Sequence, residues 1–360
     1  MTVIATLTGL RFGNDPCWPI ATGSAAAIIR SHLVWRGYLT MPTSSSSTSP
    51  RSTSAQEASL TAAIEAIEGT EFVAGCTEIS RLFHGRGHCF DGLEHLNIDW
   101  LPPVMLITLY QAESNERLQP LVDKAQVKGV GRVAVQHRYQ RGGPIDWLLG
   151  EPLTELVVTE QGLKYGLQLG RSQNHGLFLD MANGRQWLRQ RAQGARVLNL
   201  FAYTCGFSVA AVAGGAQTVV NLDMSKGALK RGQQNHQLND HDLRGVRFLP
   251  HELFRSWGKL RKSGPYDRVV IDPPSFQRGS FVASEDYQRV LRRLPELLLP
   301  EAELLVCLND PTIAPGFLIE LMQQHCPKAT YVERLANPDS FPEQDPNRAL
   351  KVLRFHYQAD

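Results

Sequence analysis

Nothing in these 360 residues approaches the roughly 18–20 consecutive apolar positions that a membrane-crossing helix requires. Apolar stretches such as Pro103–Tyr110 are only strand-length, which excludes a helical membrane protein. Cysteine is scarce: six residues (17, 76, 89, 205, 307 and 326) are scattered with no CxxC pair. That pattern belongs to a reduced compartment rather than a disulfide framework, so a cytoplasmic location is expected. A charge excess is also missing, since 37 Lys and Arg face 35 Asp and Glu for a net +2. Bulk charge therefore neither demands nor forbids a nucleic-acid partner, and only local clusters can point to one. What remains, 42% hydrophobic and 20% charged residues, is a globular composition, and the length favours two domains with appendages.

Residues 1–55 differ from the rest, with Arg11, Arg30, Arg36 and Arg51, one acid (Asp15), no lysine and a Ser/Thr run from Thr43 to Ser54. Such a segment buries too little apolar surface to offset its ordering entropy and reads as disordered. A start placed too early, with Met41 as the real beginning, and an organelle transit peptide are both compatible with it. Residues 56–75 predict a short helix on Leu60, Ala63, Ile64 and Ile67, closed by Gly69. Residues 76–170 read as a small α+β domain: strands at Val104–Tyr110 and Arg132–Arg138, a helix near Glu113–Ala125, and a hairpin of Glu155–Thr159 with Lys164–Leu169 turning at Gly162.

In residues 171–360 short strands alternate with helical periodicity: Arg196–Phe201, Thr218–Leu222, Val246–Leu249, Arg268–Ile271 and Glu303–Leu308. Repeated β-α units predict an α/β fold with a doubly wound, mostly parallel sheet, and Thr330–Leu335 with Lys351–Tyr357 predict an antiparallel hairpin at its edge.

Ligands of such sheets lie beyond the carboxyl ends of the strands. After the first strand, Asn199-Leu-Phe-Ala-Tyr-Thr-Cys-Gly-Phe-Ser208 turns into a small-residue helix, offering unpaired N–H groups. Only Gly206 remains of a dinucleotide GxGxxG, which argues against NAD or FAD. The second strand ends at Asp223, a carboxylate able to accept from a ribose diol, or to cap a helix Met224–Asn239, or both. After the third, Glu252 could face an adenine amino group or simply cap a helix. The fourth ends Ile271-Asp-Pro-Pro-Ser-Phe276, where two prolines remove donors and fix the backbone beside the ligand, and Ser275 and Phe276 offer a hydroxyl and an aromatic face.

These residues carry a resemblance. Gly176-Leu-Phe-Leu-Asp180, Asn199–Thr204, Val220–Ser225 and Ile271–Phe276 resemble a class I (Rossmann-like) S-adenosylmethionine-dependent methyltransferase. They are most similar to the bacterial enzymes that methylate cytosine C5 or guanine N7 of large-subunit ribosomal RNA. Residues 76–170 are similar to the small domain preceding the catalytic domain in that group, and a related bacterial family shares Phe83-His-Gly-Arg-Gly-His88. The resemblance implies S-adenosylmethionine as cofactor and ribosomal RNA or a pre-ribosomal particle as partner. Asp180 and the loop Phe201, Ala202, Tyr203, Thr204, Gly206 and Phe207 would surround the methionine moiety, Asp223 with Met224 the ribose, and Glu252 the adenine. Asp272, Pro273, Ser275, Phe276 and Asn309 would form the reaction face.

Carbon-5 of cytosine needs a thiolate adding at C6, whereas guanine N7 carries a free lone pair and needs mainly alignment. The fourth-strand motif has Ser275 and no cysteine, and Cys307 reads most simply as a buried strand residue. In the cytosine-C5 relatives the catalytic cysteine falls about where Asn309 stands, and in the guanine-N7 relatives an asparagine does. A purine nitrogen such as guanine N7 is therefore the expected acceptor, with an exocyclic amine, a protein or small-molecule acceptor, and a silent RNA-binding protein as alternatives. Basic clusters at Arg138 and Arg141, at Arg255, Lys259, Arg261 and Lys262, and at Arg289, Arg292 and Arg293 would form a phosphate track only on a shared face. His84, His88 and Cys89 match no common zinc spacing, so no metal is expected.

Overall fold

The computed structural model describes residues 53–359 apart from 275 and 278–280; for 53–59, 276 and 277 the backbone alone is described. The expected disorder of residues 1–55 thus falls, up to residue 52, outside the described residues.

Helix α1 (Thr53–Glu68) precedes a five-stranded sheet of β1 (Ser80–His84), β2 (Leu96–Leu101), β3 (Val104–Leu109), β4 (Val133–His137) and β5 (Ile145–Leu149), in that spatial order. Helix α2 (Asn115–Val127) makes the crossover between the parallel pair β3 and β4, starting where Ser114 Oγ accepts the Arg117 N–H at 3.2 Å. All six side chains of β3 are buried, as a strand covered on both faces requires. On one face Ile98, Met105, Ile107, Val133 and Val135 meet Ala63 and Ile67 of α1 and Leu118, Leu121 and Val122 of α2. The opposite face is divided. Leu101, Val104, Leu106 and Ala134 pack on a separate hairpin, β6 (Glu155–Glu160) and β7 (Leu163–Gln168), whereas Asn97, Thr108 and Gln136 stand side by side across β2, β3 and β4 with Asp99 next to them, all buried.

The sequence reading missed β1, β2 and β5. Two are edge strands with charged or aromatic residues, and β2 alternates Leu96 and Ile98 with Asn97 and Asp99, a pattern that suggests a solvated face although both faces are covered. The hairpin forms as expected, with Gln161 and Gly162 at φ 52° and 78°, a primed turn.

The second sheet runs β10 (Val246–Pro250), β9 (Thr218–Asp223), β8 (Arg196–Leu200), β11 (Tyr266–Ile271), β14 (Leu298–Leu308), β16 (Lys351–Gln358), β15 (Ala329–Leu335). The first five are parallel, and β16 enters antiparallel between β14 and β15. Helices α3 (Ala182–Gln190), α4 (Gly206–Ala213), α5 (Lys226–Leu238), α6 (Trp257–Ser263), α7 (Ala283–Leu291) and α8 (Gly316–His325) belong to this half, as does a two-residue ladder of β12 (Phe276–Gln277) with β13 (Phe281–Val282). This is the doubly wound sheet with an edge hairpin that the β-α alternation predicts. Helix α5 starts at Lys226, not Met224, because Ser225 Oγ caps it by accepting the Ala228 N–H at 3.2 Å. Asp223 is therefore not the cap. Among the described residues no helix is long and apolar enough to cross a membrane.

Candidate active site

A cavity of about 470 Å³ opens beyond the carboxyl ends of β8, β9, β11 and β14. Its wall brings together the expected residues Asp180, Phe201–Thr204, Gly206, Phe207, Asp223, Met224, Asp272, Pro273 and Asn309. These come from four strand ends and the segment before α3, far apart in sequence, at the place where ligands of doubly wound sheets gather.

The turn from β8 into α4 does without loop glycines by an unusual route. Phe201, Tyr203 and Cys205, at φ 59°, 47° and 62°, all hold left-handed backbone, which costs non-glycine residues roughly 1–2 kcal/mol each. Fixed partners hold it: Ala202 N–H donates to Leu222 O at 3.0 Å, Tyr203 N–H to Asp223 Oδ2 at 2.8 Å, and Asn235 Nδ2 to Thr204 O at 3.0 Å. The Thr204 hydroxyl donates to Gly176 O. The glycine that makes room lies elsewhere, in α5, where a Cβ on Gly232 would fall 2.3 Å from Cys205 Sγ. Asp223 Oδ1 accepts the Ser225 N–H at 2.7 Å, so both its oxygens are oriented by backbone donors while each keeps acceptor capacity. Burial pushes its pKa up, and those two N–H groups oppose the shift.

Asp180 and Asp272 are the other acids in the wall. Burial, reinforced by the charge of Asp180 and opposed by Arg185, raises Asp272 to about 7. Burial likewise raises Asp180, against the pull of Arg81 and Arg185. The Arg185 guanidinium is committed to Glu160, with both contacts at 2.6 Å, and to Phe178 O at 2.8 Å. Among the described residues the two wall acids thus lack a dedicated counter-ion, and a cationic ligand would favour their ionised forms. The donor set fits a sulfonium ligand with a ribose: acids at two ends and a tight turn between.

The remaining expected residues fall elsewhere. Glu252 does not line the cavity; its Oε1 accepts the Phe254 N–H at 2.8 Å, which makes it the cap of the short helical turn 253–255. Ser275 lies outside the described residues, as does the side chain of Phe276. Cys307 is fully buried, with its thiol pushed well above the ordinary range by desolvation, and among the described residues no cysteine lines this cavity. Arg138 borders a second, adjoining cavity, whereas Arg141 is exposed on the neighbouring turn. Arg255 is exposed beside Glu252, and Lys259 Nζ lies 2.7 Å from His251 Nε2, both away from the two cavities. The second and third basic clusters do share a face, since Arg261 and Arg293 both pair with Glu296 and Arg289 stacks 3.6 Å from the Phe254 ring centre. Sequence reasoning missed Arg185, whose only signal would have been its acid partner 25 residues earlier. No group of three or more His, Cys, Asp or Glu among the described residues is placed to hold a metal ion.

Residues 80–356 match the model of the family described as S-adenosylmethionine-dependent methyltransferase. Ribosomal RNA large subunit methyltransferase I of Aeromonas hydrophila is 33% identical over 196 residues, 52% of this chain and 49% of that protein, so the chain spans about half the length of that relative. The candidate ribosomal RNA large subunit methyltransferase YwbD of Bacillus subtilis is 26% identical over 75% of this chain and 72% of its own length. A solved structure of a candidate SAM-dependent methyltransferase from Streptococcus mutans superposes with a TM-score of 0.72 at 25% identity, covering 82% of this chain and 81% of that one. With the family model spanning both sheets and the cavity lying at the ends of the parallel strands, the chain belongs to the S-adenosylmethionine-dependent methyltransferases.

Proposed function

We propose that this protein methylates a base of large-subunit ribosomal RNA, at a purine nitrogen such as guanine N7. The observation that carries the reading is the cavity in which Asp180, Asp223 and Asp272 meet the strained turn and Asn309. When bound, S-adenosylmethionine would supply an electrophilic methyl carbon on a sulfonium: a base nitrogen lone pair would form the N–C bond in line as the C–S bond breaks, the neutral thioether leaving and the positive charge passing to the base. In this reading Asp223 accepts from the ribose hydroxyls, while Asp180 and Asp272 complement the positive end of the cofactor. Pro273, with no donor of its own, keeps the backbone beside the reacting centre extended. Asn309, exposed at the end of β14 where both cavities meet, positions the acceptor base.

The nitrogen acceptor is favoured over cytosine C5 because no cysteine among the described residues lines either cavity. A buried, protonated Cys307 cannot serve as the nucleophile that C5 chemistry requires. Cys307→Ala should keep near wild-type transfer, and a trapped covalent RNA adduct would instead establish the C5 route. Ribosomal RNA is favoured as acceptor by the names of the relatives and by the basic face joining α6 and α7, with residues 76–170 as a further contact region. Mass spectrometry of ribosomal RNA from a strain lacking the gene tests this directly: one missing purine methyl mark is expected, and an unchanged set of marks would overturn it.

A further inference from the structure

The cavity just described continues into a second one of about 390 Å³, and the two share Asn174, Phe178, Asp180 and Asn309. The roof of this second cavity is the first sheet, and its far wall is the connection from β15 to β16. The roof is polar where the rest of that sheet face is not. Asn97, Thr108 and Gln136 stand in register across three strands, and Asp99 sits beside them. Burying such a row against the catalytic half is unfavourable unless its groups are satisfied. Most of them are: Asp99 takes Arg81 in a two-point pair with the longer arm at 3.2 Å, and Gln136 Nε2 donates to Gln173 O at 3.1 Å. What is left over is His175 Nδ1, beside Gln136, and two acceptors on the opposite wall. Among the described residues Asn337 Oδ1 and Glu343 Oε2 are buried acceptors with no hydrogen-bond partner, and the ring that lies 3.7 Å from the other Glu343 oxygen, His84, is held neutral by burial with Arg81 and Arg86 beside it, its pKa lowered to about 3.

The same walls carry flat surfaces for a base. Arg86 lies 4.0 Å from the Tyr110 ring centre and Arg138 5.6 Å from it, while Arg81 lies 4.6 Å from that of Phe341. A ligand with a planar ring, an edge rich in N–H donors and a phosphate for the arginines would complete this site. Among the bases, guanine presents adjacent imino and amino donors on one edge, with N7 on the far side of the ring.

We infer that the second cavity is the acceptor-base pocket and that Glu343, with Asn337, selects guanine by accepting from its N1–H and amino group, which leaves N7 toward Asn309 and the cofactor cavity. This inference rests on the methyltransferase reading and adds to it the base and the residues that choose it. Because Glu343 sits on the connection from β15 to β16 and not on the ends of the parallel strands, it is a specificity-determining residue outside the cofactor site.

The test uses saturation-transfer NMR on the full chain loaded with S-adenosylhomocysteine, with GMP, IMP and AMP at millimolar concentration as probes. GMP is expected to bind at least about five-fold more tightly than IMP, which lacks only the amino group, or AMP, in line with the penalty for an unpaired buried acceptor. Glu343→Gln should erase the GMP preference while leaving S-adenosylhomocysteine affinity within about two-fold, and Asn337→Ala should weaken it through the second acceptor. No GMP contact, or a preference that survives both substitutions in folded protein, overturns the inference. Failure of the underlying reading looks different: wild-type protein would transfer no methyl group to ribosomal RNA from the deletion strain. Transfer to adenine in place of guanine sinks the pocket assignment alone.

Discussion

Asp272 concentrates the chemistry of the site in one side chain. With a folded pKa of about 7 against an ordinary value near 3.8, it holds a proton in the native chain that the unfolded chain releases. Native protein binds more protons than unfolded protein across roughly pH 4–7, so this group lowers stability as pH rises through that window. Asp272→Asn should flatten that decline in thermal melts between pH 4 and 7. A cation beside it favours the ionised form, so the affinity ratio of S-adenosylmethionine to S-adenosylhomocysteine should climb as pH rises through about 7. A ratio that is level with pH in calorimetry would remove Asp272 from contact with the sulfonium. Asp223 was legible from its strand end, but its geometry was not, because its partners are backbone N–H groups of Tyr203 and Ser225 that no residue pattern announces. Glu252 was the reverse case: an acid at the right strand end that turns back to cap its own chain.

At the scale of elements, the strained turn and the α5 helix work as one unit. Gly232→Ala places a methyl group against Cys205 Sγ and should weaken cofactor binding by ten-fold or more, with Cys205→Gly in the same chain restoring much of it. Measured affinities that ignore Gly232→Ala would mean the turn can shift freely. The Glu160–Arg185 pair ties hairpin β6–β7 to α3 with almost no solvent access. Breaking one partner of such a pair costs about 3–5 kcal/mol, so Glu160→Gln should lower the denaturation midpoint strongly. Strands of the second sheet were readable because Val and Leu run through them. The first sheet was half-hidden, because β2 presents Asn97 and Asp99 to a buried surface and so mimics a strand facing water.

For the whole molecule, the first sheet roofs the second cavity, which adjoins the candidate cofactor cavity at the strand ends of the second sheet, and basic residues stand at more than one place on the outside. Binding to single-stranded RNA should weaken linearly with the logarithm of salt concentration, and Arg138→Gln should reduce the slope by about one. An unchanged slope would take Arg138 off the phosphate path. The overall architecture followed from β-α alternation, yet the second cavity did not, since its walls draw on segments more than 200 residues apart that share no motif. One topological detail has a bearing on biosynthesis. β16 fills the gap between β14 and β15, and its first residue, Lys351, donates to the carbonyls of Asp310 and Asn347. A nascent chain still lacking residues 351–358 leaves one edge of β14 bare and the Asp310 carbonyl without its Lys351 donor. While it is being translated, the polypeptide therefore stays without a finished crevice, and competence arrives only once that strand slides into place.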